Sequence, residues 1–368
     1  MVAQVRAGRQ PPGSPRMTSA DVTVVGGGII GCLVAAEVLA RAPGTRVVVL
    51  ERDAMGSGAS RRSAGLHFPR GGTERVRSMS AFSQSFYEKL RSQDPRLPIR
   101  PLSMHVLSSD TSHLEQTYLA AAGLTRSTGL PGDMVAAPAG TQVWKGRGCQ
   151  YADVGALTEA LARAVRPHIG IREGTAVTGI EVGSSEVTLR LSTGEAMASS
   201  KVVLAPGPWV GDPAWRSLVE PLGVRVKKVV ALHIEQAPQE DDGAIIFEDD
   251  DAFLLPVHHR GHWLFSYTCR DWHVEPDRLT GGMSRANLDE ALSCLGAYAP
   301  ALVAHATSGR VFCDAYSPMH EPLVRTLGAG HVVFAGAANG SGYRLAPAIA
   351  DEAAGLLGMT SSGRRNAS

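Results

Sequence analysis

Glycines at positions 26, 28 and 31 stand between a β-branched run, Asp21–Val25, and an apolar stretch at helical spacing that ends near Arg41. A second β-branched run, Arg46–Leu50, leads directly to an acid, Glu51, twenty residues after Gly31. Strand, G-x-G-x-x-G, helix, strand and acid in that order form a site for a dinucleotide. Gly26 allows the tight turn, Gly28 lets the backbone approach a pyrophosphate, and Gly31 lets the helix pack on the strand. The helix start offers unpaired N–H groups to phosphate oxygens, and Glu51 accepts from a ribose hydroxyl pair. Ile30 and Arg52 flank these positions and are expected beside the nucleotide.

The chain after Glu51 does not continue as a regular βαβ unit. It runs through Gly56–Gly65, a loop of small residues and hydroxyls that can lie against a second, larger planar group and its ribityl chain. Ser60, Arg62, Ser63, Ala64, Gly65 and Leu66 are the contacts expected there. His67 and Arg70 follow directly and are candidates for the mouth of a site. Two later segments read as strand plus glycine turn. Lys201–Trp209 offers Ala205, Gly207 and Trp209, and a strand region before it, Thr175–Val182, carries Val177. His331–Pro347 offers Gly336, Gly340, Ser341, Gly342, Tyr343 and Arg344.

In order and spacing these segments resemble the D-amino-acid oxidase-like FAD-dependent oxidoreductases of the glycine oxidase and sarcosine oxidase type. Gly56–Gly65 is similar to that family's G-x-G-A-S-x-R-N-A-G, Lys201–Trp209 to its VV-x-A-x-G-x-W, and the C-terminal segment to its A-G-x-x-x-x-G-x-x-L-A-P. The resemblance implies FAD as cofactor and a last helix, here expected to begin near Ala346-Pro347, pointing its positive end at the flavin. It also implies oxidation of a C–N bond of an amino acid or related amine acid to an imine, with dioxygen as acceptor and hydrogen peroxide as product. Arg344 takes the place of a substrate-binding Lys and would grip a carboxylate through two parallel bonds. The alternatives are a dehydrogenase passing electrons to a carrier, and a flavin-binding sensor or assembly protein without turnover.

The chain also departs from the family. Asp314 falls near the place of a substrate-binding Arg, and Leu264 at that of an oxygen-activating Lys, for which Lys227 or Lys228 is a substitute. Met319, in Ser317–Pro322, replaces an Asp. Cys313 lies one residue from the Cys that links covalently to FAD in the sarcosine oxidases, so non-covalent FAD is the expectation.

Elements that position such residues follow from periodicity. Ser80–Leu90 reads as a helix with Phe82, Phe86 and Leu90 on one face. Four strands, Val224–Glu235, Gly243–Phe247, Ala252–Val257 and His262–Thr268, would form an antiparallel sheet roofing the flavin. Alternation puts Trp263, Phe265 and Tyr267 on one face, with the Tyr267 hydroxyl as a candidate substrate contact. The acidic runs Glu240–Asp242 and Glu248–Asp251 fall at turns and read as solvated loops. His258, His259 and His262 flank an Arg260-Gly261 hairpin turn, and no metal site is expected.

The fold class implied is α/β: a Rossmann-like FAD-binding domain interleaved with a smaller α+β substrate domain built on an antiparallel sheet. The FAD-binding domain takes 20–75, 145–220 and 320–360, and the substrate domain 76–144 and 221–319. Residues 1–19 and 361–368 read as tails. The 368 residues carry 36 Lys+Arg against 35 Asp+Glu, a balance that predicts no nucleic-acid groove and no membrane surface. Five scattered cysteines without a CxxC, and no secretory signal in the polar first twenty residues, point to a reducing, cytoplasmic compartment. The partners expected are a small amine or amino acid and dioxygen or an electron carrier.

Overall fold

A computed structural model describes residues 18–130 and 134–359. The expected tails lie outside these residues, except that Thr18 and Ser19 already belong to the first strand. Val22, Val24, Val47 and Val49 are buried on a sheet covered on both faces, which is why their runs read as nearly continuous apolar residues.

That sheet has eight strands. Across it lie Leu323–Leu327, Val332–Gly336, Ala196–Leu204, Thr18–Val25, Val47–Leu50 and Gly170–Arg172, with all but the first running parallel to their neighbours. A hairpin of Val177–Val182 and Val187–Leu191 extends the beginning of Ala196–Leu204. The first helix, Ile29–Arg41, packs against the last, Gly342–Leu356, on one face of the sheet. Both helix starts thereby reach the same end of the strands, where ligands of open α/β sheets bind.

The second sheet has nine strands. Arg225–Ile234, His262–Tyr267, Ala252–Val257 and Ala244–Phe247 follow one another antiparallel, as the sequence spacing predicts, and Ala306–Tyr316, a strand not expected from the sequence, adds to the outer edge of Arg225–Ile234. The sheet continues through Ile99–Ser108 and Gln142–Ala152 to the short strand Leu66–His67. The strand Gln142–Ala152 straddles the expected boundary at 144/145, and Leu66–His67 crosses from the loop after Glu51 into this sheet. The helix Arg285–Tyr298 covers one face through Ala291 and Leu295, while the other face looks over a cleft.

Two helices differ from their sequence bounds. Glu74–Gln93 is longer than Ser80–Leu90 because Thr73 caps it, its side chain accepting from Val76 N at 3.2 Å. The last helix begins at Gly342, four residues before Ala346, so Pro347 sits inside it and not in its first turn. No helix among the described residues is long and apolar enough to cross a membrane, and no group of side chains among them could hold a metal ion.

Candidate active site

The turn after the first strand forces close approaches that only glycine permits. Gly26 has φ 107°, and a Cβ there would lie 2.3 Å from the Ala205 carbonyl oxygen. A Cβ on Gly31 would lie 1.9 Å from the Gly26 carbonyl oxygen. The helix start is thus drawn against the strand ends, and Gly28, Ile30, Gly26 and Gly31 line a groove there. Ser60 Oγ accepts from Ile29 N at 2.9 Å and ties the following loop to that helix start. Glu51 is fixed by backbone donors, accepting from Gly27 N at 2.7 Å and from Asp53 N at 2.9 Å, while it lines the groove.

The groove runs on between Val177 on one side and Ala205, Gly207 and Trp209 on the other. Arg52 lies 4.2 Å from the Trp209 ring centroid. Asp277 joins both, at 2.7 Å from Arg52 Nη2 and 2.8 Å from Trp209 Nε1. Ser63, Gly336, Gly340, Gly342 and Tyr343 line the other end. A long groove lined by the glycine turn, by Glu51 and by a second region beyond has residues that fit FAD.

A second cleft opens under the nine-stranded sheet. Ala64, Gly65, Leu66, Ser341 and Arg344 line it, and Ser63, Asp314, Gly340 and Tyr343 line both cleft and groove. Arg344 is nine-tenths buried. Its Nη2 donates to Ser341 Oγ at 2.6 Å, its guanidinium lies 4.9 Å from the Phe68 ring centroid, and its Nε has no partner. Burial, and secondarily the charge of Arg70, bring the guanidinium down to about 10, so it stays charged at neutral pH. Arg70 lines the same cleft, but its guanidinium is engaged by Glu248.

The model of the FAD dependent oxidoreductase family matches residues 21–356. The chain belongs to this family. Among curated proteins none matches the sequence. Solved structures share the fold at low identity. L-proline dehydrogenase from P. horikoshii aligns at 18% identity and TM-score 0.75, covering 94% of this chain and 95% of that one. Glycine oxidase from Bacillus cereus aligns at 17% and 0.74, covering 92% and 95%. L-amino acid deaminase from Proteus vulgaris aligns at 16% and 0.72, covering 98% and 97%.

Several residues of this FAD-dependent oxidoreductase stand elsewhere than the sequence suggested. Tyr267 lines neither groove nor cleft: its hydroxyl donates to Glu290 at 2.9 Å, and Trp263 and Phe265 are buried with it under the helix Arg285–Tyr298. The opposite face of that strand, with Ser266, looks into the cleft, as does Thr268 just beyond its end. His67 is fully buried behind the cleft, edge-on to Tyr87 at 6.0 Å, and burial followed by the Arg344 charge lowers it to about 3. Arg62 is exposed on the turn Ala59–Arg62 and lines neither space.

Cys313 packs in the apolar core beneath Ala306–Tyr316 and is not among the residues lining either space. The five cysteines are free thiols. Lys228 is held by Asp271 and Asn287, each at 2.9 Å, and Lys227 lays its ammonium over Trp272, so neither lines the cleft. Leu264 lines neither space.

Glu248 stands far from a solvated acidic turn: its side chain is 4% exposed. It pairs with Arg70 and accepts from the Tyr118 hydroxyl at 3.0 Å, at the wall of the cleft. Its partners lie far away in sequence, and no local signal marks the pair. Asp314, near the place of the family's substrate-binding Arg, sits where groove and cleft meet, and burial raises its carboxyl to about 6.

Proposed function

We propose that this oxidoreductase oxidises the C–N bond of an amino acid or a related amine acid, with the reacting carbon at the junction of groove and cleft. Arg344 carries the reading. A nine-tenths-buried guanidinium with an unsatisfied Nε, facing a cleft that joins the FAD groove, calls for an anion in that cleft. A substrate carboxylate supplies it and is oriented by two parallel bonds. Phe68, Phe312 and Phe253 give the cleft apolar walls that exclude water around the reacting carbon.

FAD, when bound, accepts the electron pair of the oxidation. The chain's own part is placement. Arg344 holds the carboxylate, Glu248 keeps Arg70 neutralised, and the start of the helix Gly342–Leu356 puts its positive end beside both spaces. The imine formed is hydrolysed by water, and dioxygen leaves as hydrogen peroxide. Five free thiols fit the reducing, cytoplasmic setting that goes with this reading.

Replacing Arg344 by Met tests it. Loss of a buried charged contact costs roughly 2–5 kcal/mol in kcat/KM for carboxylated substrates. An unchanged value would remove Arg344 from the site. A second reading, transfer of electrons to a carrier, draws support from the cleft: no lysine among the described residues lines it. Peroxide yield under air separates the two.

A further inference from the structure

We propose that Asp314 takes the amino group of the substrate and so fixes which way round an amino acid lies between Arg344 and the FAD groove. This rests on the amino-acid reading above and adds the second anchor to it.

The strand Ala306–Tyr316 alternates its side chains. Phe312, Asp314 and Tyr316 face the cleft, while Cys313 is buried in the core on the other side. Arg344 lines the cleft alone, whereas Asp314 lines both cleft and groove. The two opposite charges are therefore offset along the direction that leads from cleft to groove. An amino acid carries its carboxylate and its nitrogen on the same carbon. With the carboxylate on Arg344 and the Cα–H turned towards the groove, the nitrogen falls at the junction, where Asp314 is the carboxylate.

Asp314 is also free to take it. No hydrogen bond or ion pair within the described residues engages its side chain, and burial alone accounts for its raised pKa. Lys227 stands directly opposite on Arg225–Ile234, but its ammonium lies 5.0 Å from the Trp272 ring centroid and 5.7 Å from that of Tyr316. The other ionisable groups around Asp314 are Cys313 and Tyr316 on its own strand, with Asp251, Arg70, Glu248 and Arg344 around the same cleft. A half-buried carboxylate without a donor at the junction of cleft and groove is open to a cationic partner. An ammonium satisfies it. If the ammonium passes one proton to Asp314 Oδ, the products are a neutral amine with its lone pair and a neutral carboxyl, so charge balances within the cleft.

The test uses a ligand pair that cannot be oxidised. 2-Aminoisobutyrate has no Cα–H, and isobutyrate is the same acid without the nitrogen. Each is titrated into the FAD-loaded enzyme and read as a perturbation of the flavin absorbance. Asp314→Asn should weaken 2-aminoisobutyrate by about tenfold or more and leave isobutyrate unchanged or tighter. Asp314→Glu, which keeps the charge, should retain the preference for the amine. Asp314→Ala carries the same expectation as Asn if the Asn variant does not fold. In the unaltered enzyme, binding of the amine ligand should weaken below about pH 6, and the Asn variant should lack that limb.

Equal effects on both ligands, or none, would overturn the assignment while leaving the amino-acid reading standing. Failure of both ligands to bind the unaltered enzyme, or an unaltered isobutyrate affinity in Arg344→Met, would overturn the reading itself and Asp314's role with it.

Discussion

The Tyr87 hydroxyl donates to the carbonyl oxygen of Tyr343 over 2.7 Å. This bond answers a specific deficit. Pro347 lies four residues after Tyr343 inside the last helix and has no N–H to give to that carbonyl. Tyr87, fully buried on the helix Glu74–Gln93, supplies the missing donor, and its ring stacks on that of Tyr343 at 4.7 Å. The proline is thereby tolerated in the turn that carries Arg344.

Tyr87→Phe should destabilise the protein by roughly 1–3 kcal/mol, the cost of an unsatisfied buried carbonyl. Adding Pro347→Ala to that variant restores a backbone donor at the same place. Denaturant unfolding of the two single variants and the double should show recovery of part of the loss. Strictly additive losses would mean that the hydroxyl is not replacing the proline's N–H.

Glu248→Ala should leave the partly enclosed guanidinium of Arg70 and the hydroxyl of Tyr118 without their shared acceptor. The expected cost is about 3–5 kcal/mol of stability. Glu248→Gln, which keeps an acceptor for Tyr118, should lose less. A thermal midpoint unchanged by the Ala substitution would show that the pair is not structural.

How much of this was legible in the sequence depended on whether backbone or side-chain packing did the work. The cradle at Gly26, Gly28 and Gly31 was legible because a Cβ at 26 or 31 collides with a carbonyl, a demand that only one residue type meets. The strand Ala252–Val257 was bounded correctly because its hairpin turn ends at Gly261 with φ 66°. Which face of His262–Tyr267 would meet the cleft was not legible. Alternation separates Tyr267 from Ser266 but does not say which side a later helix will cover. Glu248 was misread as solvated because its partner Arg70 lies 178 residues away. The start of the last helix was misplaced because a proline normally marks a first turn, and Tyr87's compensating bond lies outside the local sequence.

Gly31→Ala should yield protein without bound flavin. A Cβ at 1.9 Å from the Gly26 carbonyl must push the helix start away from the strand and open the phosphate cradle. The flavin-to-protein ratio of the purified variant measures this. A full complement of FAD would contradict the groove assignment.

His67 should make stability fall with acid. Its folded pKa of about 3 lies below the ordinary 6.5, so the unfolded chain binds a proton that the folded one refuses. The penalty is absent above about pH 6.5 and grows by up to roughly 1.4 kcal/mol per unit as pH falls towards 3. Unfolding free energies at pH 7 and pH 5 should therefore differ more for the unaltered protein than for His67→Gln. Equal differences would place the acid sensitivity elsewhere.

An amino acid held by Arg344 should give up electrons at the junction of cleft and groove. Anaerobic mixing of the FAD-loaded protein with a panel of amino acids and secondary amine acids, followed at the flavin absorbance, tests it most directly. Bleaching by at least one carboxylated amine, and its loss in Arg344→Met at the same concentration, is the result expected. Absorbance left intact by every member of the panel would contradict it.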